Sequence, residues 1–186
     1  MNVINTDKNI PNEEECLAIM VRCGMFPNIV EHSVQVKNVA EAIVQNLKDD
    51  VIVNKPLIIA GALLHDIAKT KSIVEHLLRH DLMGADMLRE MGFLEIADIC
   101  AAHVIMNDFM PESSLEEREI VHYADKRVKH NLVVSLEERI EDLIDRYGIN
   151  DEKRKFIQKE KDFIDGLEKK ILRFMKVDME TALTGL

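Results

Sequence analysis

Four histidines and two aspartates carry the chemistry open to this chain: His32, the doublet His65-Asp66, His80, His103 and Asp125. Neutral imidazole and carboxylate are ordinary ligands for Zn, Mn and Fe. The sharpest stretch is Gly61-Ala-Leu-Leu-His65-Asp66-Ile-Ala-Lys69, where an ionisable doublet ends an apolar run. Burying two such side chains is costly unless they are paired or coordinated. Coordination removes that cost. Asp66 also has two oxygens and could bridge two ions. Lys69 shares roughly their face of a helix, where its ammonium could hold an anionic substrate oxygen.

The other candidates come from mostly apolar settings. His103 closes Ile96-Ala-Asp-Ile-Cys-Ala-Ala-His103, and Asp125 closes Ile120-Val-His-Tyr-Ala-Asp125. Either one alone reads as a hydrogen-bonded core residue. Together with His32, His65-Asp66 and His80 they read as the ligands of one metal centre. His80-Asp81 repeats the doublet in a more polar setting, so Asp81 reads as solvated. His76 and His80 have helical zinc-pair spacing, but without that motif's glutamate and third ligand. His122, one turn before Asp125, is a candidate for orienting a ligand. His130, among basic residues, reads as exposed.

The elements that must position these residues are helical almost throughout, so the expected fold class is all-α. Asn12 caps a first helix that Gly24 closes. A second runs from about Asn28 to Leu47, with Val30, Val34, Val39, Ile43 and Leu47 inward. A nearly all-apolar helix spans Leu57 to Ala68 after Pro56, which stands at its first position. Shorter helices follow at about 72–78, 80–91 and 94–105. The loop from Met106 to Ser113, with Phe109 and Met110, is a candidate substrate-facing lid or an ordinary solvent loop. Ser114 with Glu117, and Ser135 with Glu138, have capping-box spacing. A last helix, about Asp151 to Lys176, places Phe156, Phe163, Leu167, Ile171 and Phe174 on one face. Its dense Lys/Glu face reads as solvated, with a homodimer through this helix as the alternative.

A chain of 186 residues is most simply one domain, here residues 1–186, with a metal-binding core at about 28–130 and C-terminal helices at 135–176. A formal charge of −10 argues against a nucleic-acid polymer or an acidic membrane surface as partner. It does not exclude a small phosphorylated substrate, because bound divalent ions reverse the local field. Cys16, Cys23 and Cys100 form no CxxC pair and read as reduced thiols. The polar start, Met1 to Pro11, lacks the apolar stretch of a signal peptide. No apolar run is long enough for a membrane span. The expected location is cytoplasmic.

In this set of residues the chain resembles the HD-domain metal-dependent phosphohydrolases, particularly the small single-domain bacterial type. Their pattern is a histidine, a His-Asp doublet, often two further histidines and a late aspartate on a helical bundle. The resemblance covers about residues 28 to 130. It implies that His32, His65, Asp66 and Asp125 hold a first divalent ion, and that His80 and His103 add a second bridged by Asp66. Fe or Mn is the foremost expectation, and Zn, Co, Ni and Mg also suit such ligands. The implied reaction is attack of a metal-bound hydroxide on a phosphoester or phosphoanhydride of a small phosphorylated compound, a nucleotide first among them. Asp66 and Lys69 are its expected catalytic residues, and Lys69, Lys126 and Arg127 its expected phosphate contacts.

Departures narrow the group. Ile67-Ala68-Lys69 replaces the two acidic residues of alarmone-hydrolysing members, and the His-His pair and Gly-Tyr-Pro motif of cyclic-di-GMP phosphodiesterases are absent. Size and Lys69 are similar to enzymes that cleave symmetrical dinucleoside tetraphosphates. However, Lys126-Arg127-Val-Lys-His130 stands where those enzymes carry a Pro/Gly-Arg element. Two other classes remain open on the same ligands: a di-iron oxygenase and a non-catalytic metal-bearing regulatory module.

Overall fold

The apolar run 57–64 forms a helix wrapped on several sides, and the rest of the molecule is arranged around it. The computed structural model describes residues 10–186, without the side chain of Phe156. The sequence readings on residues 1–9 and on Phe156 lie outside that set. The helices are α1 (Glu13–Arg22), α2 (Pro27–Gln45), α3 (Lys55–Leu64), α4 (Lys69–Val74), α5 (His80–Glu90), α6 (Leu94–Ala102) and α7 (Glu117–Lys126). After a short hairpin, β1 (Val128–Lys129) and β2 (Leu132–Val133), come α8 (Leu136–Tyr147), α9 (Asp151–Phe174) and α10 (Met179–Ala182). The fold is an all-α bundle with one small antiparallel ribbon, which pairs Val128 with Val133 and Lys129 with Leu132.

α3 packs against α1, α2, α6 and α7, which is why Leu57, Ile58 and Ala60 to Leu64 are all buried. Gly61 permits the closest approach: a Cβ there would lie 2.7 Å from Ile99 Cδ1 on α6. Gly84 does the same for α5, where a Cβ would meet Cys100 Sγ at 2.7 Å. No helix among the described residues is long and apolar enough to cross a membrane.

Local signals set several boundaries. Asn12 and Glu15 form a full capping box on α1, and Gly24 follows at φ 65. Ser135 and Glu138 do the same for α8. The box expected from Ser114 and Glu117 is instead made by Glu116 and Glu119, because the chain enters α7 two residues later. Pro56 is the second residue of its helix, after Lys55, with Asn54 as the cap. The inward face of α2 is rotated from the expected stripe. Ile29, Val36, Val39, Ala40 and Ile43 are buried and Val30 and Val34 are only half-buried, since α2 is wedged between α3 and α7. α9 buries Leu167 and Ile171 and half-buries Phe163 and Phe174, packing against α7 and α8.

Candidate metal centre

The six residues converge, but mostly from helix ends. His32 lies within α2 and Asp125 near the end of α7. The apolar helix stops at Leu64, not at Ala68: His65 is its C-cap, and Asp66 lies in the following turn. Here i→i+3 bonds, Ile67 N–H to Leu64 O and Lys69 N–H to Asp66 O, replace α-helical ones. His103 is the C-cap of α6, and His80 opens α5 directly after Arg79, whose φ is 65. Helix ends leave backbone carbonyls without intrahelical partners, and the imidazoles use them.

His65 donates Nδ1–H to Ala62 O at 2.7 Å, and His103 donates to Cys100 O at 2.6 Å. His32 donates to His130 O at 2.8 Å. A carbonyl can only accept, so in each ring Nδ1 carries the proton of that bond and Nε2 is the nitrogen turned toward the carboxylates. This is how protein frames orient metal-binding imidazoles. His32 Nε2 lies 3.0 Å from Asp125 Oδ1 and 3.9 Å from Asp66 Oδ2. His65 Nε2 lies 3.5 Å from Asp66 Oδ2 and 3.8 Å from Asp125 Oδ1. On the other side, Asp66 Oδ1 lies 3.1 Å from His80 Nε2 and 3.4 Å from His103 Nε2. His80 Nε2 and His103 Nε2 are themselves 3.2 Å apart.

Asp66 therefore divides its two oxygens between two groups of donors. His65 Nε2 and Asp66 Oδ1 are buried without a hydrogen-bond partner. One orphaned atom thus lies on each side of the carboxylate, an arrangement that divalent cations resolve. His32, His65 and Asp66 form one set able to hold an ion, and Asp66, His80 and His103 form a second.

The charges agree with this picture. Burial pushes the Asp66 carboxyl up, but Lys69 and His65 outweigh it and hold the group well below the usual carboxylate range. Asp125 is held down in the same way against its burial, by Lys126 and His32. Burial lowers His65 to about 3, with His103 and His32 adding to the effect against the opposing carboxylates. His65 is thus neutral at physiological pH.

The expected phosphate contacts divide. Lys69 Nζ sits 2.7 Å from Asp66 Oδ2 with its side chain about a third exposed (32%), on the solvent edge of the cluster. Lys126 is buried, donating to Asp125 Oδ2 at 2.6 Å and to His103 O at 3.0 Å. Arg127 does not face the cluster, which corrects its expected role. It donates to Val134 O, Tyr123 Oη and Glu180 Oε1 and ties α7 to the hairpin and α10. Successive helical residues point about 100° apart, which sends Lys126 inward and Arg127 away.

Other expectations change as well. Asp81 is fully buried, not solvated, and is gripped by Arg79 through Nε and Nη2. His130 is exposed, as its basic neighbours suggested, yet its carbonyl fixes His32 from a turn at φ 57. The 106–113 loop is pinned to α9. Lys170 donates to Met110 O, Ser113 Oγ and Glu119 Oε1, and Arg173 donates to Glu112 Oε2 and Pro111 O. Neither the Lys170–Glu119 pair nor the His130 carbonyl was found by sequence reasoning. A lysine on an otherwise amphipathic helix and a backbone oxygen carry no distinguishing signal.

This chain belongs to the HD domain family, whose model matches residues 29–148. HD domains bind divalent metals, and this chain has His/Asp clusters able to hold such ions. It is 31% identical over 147 residues to a tRNA (cytidine(56)-2'-O)-methyltransferase of Thermoplasma volcanium, covering 68% of this chain and 41% of that protein. The enzyme of the same name from Picrophilus torridus is 28% identical over 155 residues, covering 75% of this chain and 42% of its own length. An uncharacterized protein of Methanocaldococcus jannaschii is 29% identical over 137 residues, 66% of this chain and 79% of that one. The chain thus spans about two fifths of the length of the two methyltransferases. No solved structure matches.

Proposed function

We propose that this protein is a metal-dependent phosphohydrolase that cleaves a phosphoester or phosphoanhydride of a small phosphorylated compound, a nucleotide foremost. The observation that carries the reading is the division of Asp66, with Oδ2 toward His32 and His65 and Oδ1 toward His80 and His103. Bound there, two divalent ions of the Fe or Mn type would supply hydroxide near neutral pH and neutralise charge on phosphoryl oxygens. The chain's own groups do the positioning. His65 is held neutral by burial and oriented by Ala62 O, and His103 is oriented by Cys100 O. Lys69 and His80, at 32% and 24% side-chain exposure, are the most accessible members and form the mouth of the site. A phosphate entering there meets the Lys69 ammonium first.

The methyltransferase name belongs to relatives of which this chain matches less than half. A net charge of −10 favours a small anion steered by bound ions over a polymer. The test is phosphate release from a panel of nucleotides and dinucleoside polyphosphates by protein reconstituted with Mn or Fe(II), beside Asp66→Ala. Turnover of one substrate that the variant abolishes is expected. No release from any substrate by wild-type protein carrying two ions per chain would overturn the hydrolase reading for that panel and make oxygen uptake the next measurement.

A further inference from the structure

α7 does more than supply Asp125. His122 and Lys126 lie one turn apart on its inner face, and both reach across to the end of α6. His122 Nδ1–H donates to Ala102 O at 2.9 Å, and Lys126 Nζ donates to His103 O at 3.0 Å. With the His103 ring on Cys100 O at 2.6 Å, three of the last carbonyls of α6 are taken by side chains. That end of a helix has no partners of its own, so these contacts set where His103 sits.

His122 is an expensive way to fill its position. It is fully buried, its Nε2 has no hydrogen-bond partner, and its ring packs edge-on to Phe163 at 5.2 Å. An apolar side chain would pack there without an orphaned nitrogen. What the imidazole adds is the bond to Ala102 O. Burial first, and Lys126 second, push its pKa down to about 3, so it acts as a neutral donor.

We propose that His122 is a positioning residue that holds His103 against Asp66 and so sets the register between the two ion positions. The single helix α7 carries Asp125 for the first and grips the carrier of His103 for the second. This inference rests on the metal reading above. It predicts a selective defect: removing the His122 donor weakens the second ion and spares the first.

The experiment is Mn2+ titration by calorimetry, with metal content measured after dialysis, on wild-type protein, His122→Leu and His122→Asn. Leucine fills the space without a donor. Asparagine places an amide N–H close to where Nδ1–H stands. His122→Leu is expected to keep the tight first equivalent and bind the second about 10- to 100-fold more weakly, with His122→Asn restoring it. Two ions bound by His122→Leu with wild-type affinities would overturn the proposal. So would loss of both ions together with the helical circular dichroism signal, which would make His122 a residue of the core only. If the wild-type chain itself binds no Mn2+, the metal reading fails instead, and the two failures are told apart by that control.

Discussion

The two sides of Asp66 are built differently. On one, His32, His65 and Asp125 are at most 9% exposed, and both imidazoles are locked by backbone carbonyls. On the other, His103 is equally enclosed, but His80 is 24% exposed. Among the described residues, His80 Nδ1 has no carbonyl partner, and the residue before it, Arg79, is left-handed and gives α5 no side-chain cap. The first side is preorganised, whereas the second is completed by one residue at a loosely started helix. Preorganised ligands bind ions more tightly because less ordering remains to be done on binding. The difference teaches that the side completed by the partly exposed His80 is also the side whose ion should exchange.

The strongest way to break this comparison is to remove its shared member. Asp66→Ala should abolish turnover and both bound ions at once, which elemental analysis and phosphate release would show. Retention of one ion at full affinity would mean that the sides do not share the carboxylate. Next in size is the anchor of the loop that follows His103. Lys170 and Glu119 pair at 2.6 Å with side-chain exposures of 0% and 3%, and Lys170 also pins the 106–113 loop. Lys170→Met leaves Glu119 buried without its cation and should cost about 3–5 kcal/mol by urea unfolding. A loss well below 1 kcal/mol would show that the loop is not anchored there.

Acid should attack the ion-free protein in two stages. The folded-state pKa values of His65 and His122 lie near 3, below their ordinary 6.5. The unfolded chain therefore takes up protons that the folded chain refuses, and stability falls as pH drops from about 6.5 toward 3. Asp66 and Asp125 have depressed values, so their contribution is present above about 3.8 and fades only as pH falls below it. Thermal melts across pH 7 to 4 should show the first stage, and saturating Mn2+ should oppose it by mass action. A melting temperature flat over that range would contradict neutral burial of these rings.

The finest comparison is between the sides themselves. His80→Ala should weaken only the second ion, by about 10- to 100-fold, or about 1.4–2.8 kcal/mol. His32→Ala should strip the tightly held one. Equal losses in the two variants would erase the asymmetry drawn from burial and tautomer locking.

Much of this was legible before the fold was known. Desolvating a His-Asp doublet behind Ala-Leu-Leu demands a partner, and imidazole and carboxylate types narrow that partner to a metal, so the six residues could be named together. Asn12 with Glu15 and Ser135 with Glu138 marked true helix starts because a capping box is a local geometry. Elsewhere local pattern misled. Ile67-Ala68 continues an apolar run, yet the helix yields after Leu64 to tighter turns. Asp81 looked solvated because its setting is polar, yet it is buried with the exposed Arg79 folded over it. Arg127 looked like Lys126 because adjacency hides the rotation that separates them.

The sequence by itself determined the all-α class and the donor set, since ligating an ion requires particular side chains and little else can stand in for them. Tertiary structure decided which atoms of those donors meet. The carbonyl that locks His32 comes from His130, at the far end of the core, and the donor that holds the end of α6 comes from His122 on another helix. Every residue has a carbonyl, so no residue type announces which one will be in place. Only the packed bundle selects it.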